Sequence, residues 1–234
     1  MVLVQSTHVN GDKPLDLHIR TVIQEWWSQI ESAALRVGDV ILQVDANKMY
    51  LNGQEVTDAD LPLKTEEFTI SGPHDGAALA EAVHGLEMNV LRTYGVHLND
   101  ESSVVFKILD NFINVNVVGH YTDFEHATGL MGDFKLGKPY NRKGERLYDL
   151  EEFAFEWQVD PRVDPSLFME VKGPQLPHEH CRMPTVAKTT RQLRNPADLQ
   201  LHEDAQKACA GKDEYDACMS DIMATGNLNM ALIH

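Results

Sequence analysis

Cysteine is scarce in this chain. There are three in 234 residues, Cys181, Cys209 and Cys218, and all fall in the last quarter. An odd number cannot close fully within one chain. Everything before residue 180 must hold by apolar burial, at about 25 cal/mol per Å2, which a chain of this length can supply. Long apolar runs are missing too. No stretch of about 18 apolar residues occurs, so no membrane-spanning helix is expected. The opening MVLVQSTHVNGDK lacks the basic region and long apolar core of a secretory leader. Basic residues are few: 20 Lys and Arg stand against 36 Asp and Glu, a net charge of −16. A field of that sign disfavours nucleic acid and anionic membranes and suits cations or basic partners. No phosphate-binding loop, dinucleotide fingerprint or metalloprotease helix is present, and no serine or cysteine nucleophile motif accompanies the acid–base residues Asp123, Glu125 and His126. An enzyme is therefore the last of the function classes, and those three residues read as a polar loop.

What is present is strand pattern. In LDLHIRTVI, residues Leu15, Leu17 and Ile19 alternate with Asp16, His18 and Arg20, the period of a strand with one face buried and one in water. SAALRVGDVILQVDANKMYLNGQEV reads as strands separated by turns at Val37-Gly38-Asp39, Asp45-Ala46-Asn47 and Asn52-Gly53. The Asn-Gly pair is a hairpin signal because both turn positions need positive φ. FTISG and MNVLRTYGVHL alternate again, and SVVFKILDNFINVNVVGHY reads as two strands joined at Asp110-Asn111. Short strands with polar turns predict an antiparallel β-sandwich over residues 1–170. Within it, residues 74–87 are rich in alanine and read as an inserted helix or loop. Residues 171–194 form a proline-punctuated connector crossing the surface. Residues 195–234 are helical: Asn195 caps, Pro196 opens the first helix, a second stops at Gly226, and a third begins at Asn227. The end at NLNMALIH carries no stop signal and reads as part of a longer protein. The expected fold class is mainly β, a sandwich followed by a small helical segment.

One block is specific. Residues 129–159 open on a Gly-Leu-x-Gly turn (Gly129, Leu130, Gly132), pass through a polar loop and close on an aromatic run with Phe153 and Trp157-Gln158-Val159. This order resembles the C-terminal half of a von Willebrand factor type D domain, in which such a turn leads through a calcium-binding loop to a closing strand. FINVNVVG is similar to the strands before that turn, MYLNGQEV to the family's hairpin, and ACAGKDEYDACMSDIMATGNLNMA to its cysteine-bearing helical tail. The resemblance implies a non-enzymatic structural or adhesive module, extracellular or at the cell surface, whose partners are other protein subunits or copies of itself. The alternative is an intracellular or organellar scaffold subunit, which the low cysteine count favours. The chain departs from the family at the turn cysteine, which is Met131, so the family's stapling disulfide is absent. Asp133 stands where the family has Asn.

Candidate sites follow. Asp133, Asn141 and Asp149 offer oxygens for calcium within the loop, opposed by Lys135, Lys138, Arg142, Lys143 and Arg146. Cys209 and Cys218 flank a predicted helix–turn–helix and are placed for a local disulfide in an oxidising compartment, leaving Cys181 over; the alternative is three reduced, buried thiols. His178, His180 and Cys181 lack a fourth ligand for zinc and read as a surface loop. Of Trp26 and Trp27, one is expected in the core and the other at its edge. Met219, Met223 and Met230 are expected to pack helices.

Overall fold

The computed structural model describes residues 1–11, 13–23, 27–75, 91–160, 164–170 and 196–234. It is mainly β, as the strand pattern predicts. Six antiparallel strands form one sheet in chain order: β1 (Val2–Val9), β2 (Lys13–Ile23), β3 (Ser28–Val37), β4 (Val40–Asp45), β5 (Met49–Leu51) and β6 (Gln54–Val56). Five more form a second sheet in the order β11-β10-β9-β8-β7, with β7 (Leu63–Lys64), β8 (Thr69–Asp75), β9 (Arg92–His97), β10 (Ser103–Leu109) and β11 (Phe112–Val118). The Asn52-Gly53 hairpin is present with both residues at positive φ (49° and 81°), and Asp110 turns β10 into β11 at φ 52°.

The register shows which residues meet. Leu15, Leu17 and Ile19 of β2 pair with Val37, Leu35 and Ala33 of β3. Their shared face joins Val104, Phe106 and Ile108 of β10 in one buried apolar cluster. The opposite face of β2 departs from the expected solvent-facing pattern. Asp16 is 7% exposed and His18 only 1%, because residues 164–170 cross that face as an irregular strap. The Met169 amide donates to Gln43 Oε1 (3.0 Å), Arg20 donates to the Glu170 carbonyl (2.5 Å), and Leu167 within the strap is buried. Asp16 is satisfied by Arg36 and by Gln5 Nε2. His18 is not: neither ring nitrogen has a hydrogen-bond partner, and no other buried side-chain nitrogen or oxygen among the described residues shares that state. Burial, then the neighbouring Met1 amine, lower its pKa to about 4, so the ring is neutral.

The described residues also include four helices, α1 (Tyr121–Phe124), α2 (Leu150–Glu156), α3 (Pro196–Cys209) and α4 (Tyr215–Thr225), with a closing 3-10 turn at Leu228–Leu232. Gly226 ends α4 in the left-handed conformation, its N–H donating to the Ile222 carbonyl, and Asn227 caps the final turn. The tail does not stand apart. Ala205, Cys209, Cys218, Ile222 and Met230 share a buried cluster with Leu109 of the five-stranded sheet and with Leu91, just before β9. Phe112 packs against that cluster, with Trp27 stacked on it at 5.5 Å. Cys209 and Cys218 are joined as a disulfide across the helical hairpin, with Cα atoms 5.9 Å apart. Met230 belongs to this cluster and Met219 packs against it. The expected insertion runs on from β8, which already holds His74 and Asp75; its remaining residues lie outside those described, as do Trp26, the connector, the Asn195 cap and the His178–Cys181 cluster.

Candidate interaction site

α1 lies between the end of β11 and the Gly-Leu block. His120 caps α1, and Phe124 beneath it is fully buried, stacked on Phe134 of the loop at 4.7 Å. Asp123 is a structural anchor: its carboxylate accepts from Ser102 Oγ and Asn99 Nδ2, and its carbonyl accepts from Ser6 Oγ. The chain then runs alongside β1, the edge of the six-stranded sheet. Gln5 and Thr128 exchange backbone hydrogen bonds (2.7 and 2.9 Å), and the Leu130 and Met131 amides donate to the Val2 and Leu3 carbonyls. The edge that β1 would present to solvent is thus covered. This close approach explains Gly129, at φ 129°: a Cβ there would run into the Leu3 carbonyl and Val4 Cα.

Residues 131–138 fold into a tight knuckle. Asp133 organises it, its amide donating to the Lys138 carbonyl (3.0 Å), its carbonyl accepting from Gly137 (2.7 Å), and its Oδ1 accepting from the Leu136 amide (2.7 Å). Asn141 plays the same part in the next turn, its Oδ1 accepting from the Lys143 and Glu145 amides. Asp149 caps α2 by accepting from the Glu151 and Glu152 amides. All three candidate calcium ligands therefore commit side-chain oxygens to their own turns. Among the described residues, no group of three or more His, Cys, Asp or Glu side chains is placed to hold a metal.

The residue expected to oppose a cation instead occupies the centre of the block. Arg142 forms a two-pronged pair with Asp164 (2.9 and 2.7 Å), a carboxylate only 2% exposed. It also donates to the Glu156 and Gln158 carbonyls and lies over the Trp157 ring at 4.8 Å. Trp157 is 1% exposed and donates its indole N–H to the Tyr140 carbonyl (2.9 Å). One guanidinium thus ties the loop, α2 and the strap together.

The expected closing strand is corrected here. Phe153 lies in α2 and Trp157 ends it, because Asp149 caps a run of helix formers, LEEFAFE. Phe153 and Trp157, four residues apart, fall on one helix face and cluster with Val2. Only the Trp157 carbonyl, accepting from the Val2 amide at 2.7 Å, makes a strand-like bond.

The outer surface of the block is apolar and basic. Leu136 is 56% exposed at the knuckle, beside Lys135, whose ammonium lies 4.9 Å over the Tyr121 ring. Tyr148 and Leu150 are 80% and 74% exposed, with Arg146 stacked on Tyr148. A cleft of about 240 Å3 opens behind the Gly-Leu turn between His126, Asp133 and Tyr140. Another, of about 190 Å3, lies at the end of the sandwich. There Tyr94 donates to Asp58 (2.8 Å), and burial followed by that contact pushes the phenol up to about 12. Its charges are paired, Lys48 with Glu55 at 3.1 Å. The sequence marked the turn and the loop. It carried no signal for Asp164, and it showed Arg142 only as a charge of the wrong sign. The exposed Leu136 was legible as an apolar residue between lysines, whereas Tyr148, between Leu147 and Asp149, carried no such signal. No family model and no curated protein matches this chain.

Proposed function

We propose that the chain is a non-enzymatic structural or adhesive module, of the type D kind that residues 129–159 resemble, which mediates protein–protein assembly at an extracellular or cell-surface site. The supporting observation is a concentration of exposed apolar surface. Of nine large apolar side chains exposed among the described residues, six (Val118, Tyr121, Met131, Leu136, Tyr148 and Leu150) lie between positions 118 and 150. Aromatic residues, methionine and arginine are what interface cores favour, and here they sit on a loop made rigid by Arg142 and Trp157. The Cys209–Cys218 disulfide supports an oxidising compartment. The sandwich itself contains no cysteine, which favours the second reading, an intracellular or organellar scaffold subunit. Thiol labelling of the protein from its native source separates the two; three free thiols would sink the extracellular one.

A photo-crosslinking side chain at position 136 or 148, introduced in the native host, is expected to capture a discrete protein, while the same group at the exposed position 55 captures none. Equal labelling from all three positions would overturn the assembly reading. In this reading Arg142, rather than calcium, stiffens the loop. A chelator is expected to leave the melting temperature unchanged, whereas Arg142→Met lowers it. A chelator-induced fall would return calcium to the account.

A further inference from the structure

One row of side chains runs across the outer face of the six-stranded sheet. Val2, His18, Ala34 and Gln43 are paired neighbours on β1, β2, β3 and β4, and residues directly opposite in antiparallel strands share a face. Both ends of the row are covered. Val2 clusters with Phe153 and Trp157, and Gln43 accepts from the Met169 amide of the strap. Arg20, two residues beyond His18 on the same face, holds the strap through the Glu170 carbonyl. His18 is thus shut in beneath these contacts, with both ring nitrogens unbonded.

The charged groups facing the ring are the Met1 amine ahead of β1, Asp16 in β2, Arg36 in β3 and Asp164 in the strap. None of them suits an imidazolium. Asp16 already accepts from Arg36 and Gln5. Asp164 accepts from both prongs of Arg142 and from the Asp160 amide. The Met1 amine, which donates to the Ile19 carbonyl at 2.6 Å, and Arg36 repel a further positive charge. A proton on His18 therefore creates a buried charge whose facing carboxylates are engaged, and hydration is what relieves it. Water has two routes to the ring. Splitting the sheet would part β2 from β1 or β3, to which it is bonded along its length. Lifting the strap, which has no helix or strand of its own, breaks far less.

We propose that residues 164–170 are an acid-released strap: protonation of His18 frees them from the outer face of the sheet while both sheets stay folded. The device is a property of the fold and does not rest on the assembly reading. The closed form favours the neutral ring, whose pKa is lowered to about 4 by burial and then by the Met1 amine, against about 6.5 for an imidazole in water. Closure is therefore strongest above about pH 6.5 and weakens as pH falls towards 4. The gap between these values corresponds to about a 300-fold rise in the opening equilibrium.

The test is hydrogen exchange of the full chain between pH 7.5 and pH 4, expressed as protection factors corrected for the intrinsic pH dependence of exchange. The reporters are the Met169 and Asp164 amides, bonded to Gln43 and to the Asp160 carbonyl, with the amides of β2 and β3 as reference. In wild type, strap protection is expected to fall by up to about 300-fold across that range, while β2 and β3 keep theirs. In H18L the strap is expected to keep its protection throughout. H18N, polar but without a proton to gain in this range, is expected to show the same flat profile, so the outcome does not hang on how leucine packs. Strap protection that persists in wild type to pH 4 would overturn the proposal. So would a loss that H18L and H18N share, or a loss in which strap and sheet amides fall together.

Discussion

The sandwich and the helical tail solve the same problem at different sizes. The sandwich buries 23 residues in one apolar cluster and uses no cysteine. Among the described residues, the tail contributes to a cluster of nine that includes Leu109 of the sheet and Leu91 just before β9, and two more are the halves of a disulfide. A large core holds by burial alone; a small one needs a cross-link or a surface to lean on. The tail has both. The Gly-Leu block lies between these cases. It has few buried residues of its own, Phe153 and Trp157 with Val2, and one arginine does for it what the disulfide does for the tail.

Each contrast can be broken experimentally. The largest effect is expected from Trp157→Ala, which empties a fully buried site and removes the ring beneath Arg142. Equilibrium denaturation should show a loss of about 3–5 kcal/mol, and a loss below about 1 would mean that the block is not part of the cooperative unit. Next is the buried imidazole. The folded pKa of His18 lies below its unfolded value, so the neutral ring favours the native state. Its contribution is fully present above about pH 6.5 and is lost as pH falls through that value towards about 4. The whole window is worth on the order of 3 kcal/mol. His18→Leu removes two unpartnered nitrogens, and is expected to flatten this part of the stability–pH curve while leaving stability at pH 7 equal or higher. The charged neighbours facing His18, the Met1 amine, Asp16, Asp164 and Arg36, are common to both proteins, so the difference curve isolates the ring.

Replacing Cys209 and Cys218 by serine should cost about 2–3 kcal/mol, the value for opening a short closed loop. Hydrogen exchange should show the loss confined to residues 196–234, with the sandwich amides unaffected. If the sandwich loosened equally, the tail would be part of the sandwich's cooperative unit. Smallest is the pair Gly129→Ala and Gly137→Ala. Both residues sit at positive φ, but only Gly129 is pressed against β1, while space is open around Gly137. Melting temperatures should fall by several degrees for the first and by clearly less for the second, whose loss of stability is about 1 kcal/mol or less.

The strands and turns were legible because alternation and Asn-Gly chemistry are local. What the sequence hid is which faces are covered twice. Asp16 and His18 have the spacing of solvent-facing residues, and nothing near them in the chain announces the strap at residues 164–170 that bonds Gln43 and Arg20. The aromatic run at 153–159 misled for a related reason. Phe153 and Trp157 fit a strand by composition and a helix by spacing, and Asp149 decided between them through its cap. Arg142 was visible only as a charge, because its partner Asp164 is 22 residues away in a segment without pattern.

The covering of β1 has a mechanical consequence. β1 is gripped on both sides, by β2 along one edge and by Thr128, Leu130, Met131 and Trp157 along the other. Its hydrogen bonds lie across the strand direction, so tension applied along β1 loads them together in shear instead of opening them one at a time. A strand held this way is a clamp, and it resists a pull along its own direction more than it would if bonded along one edge alone.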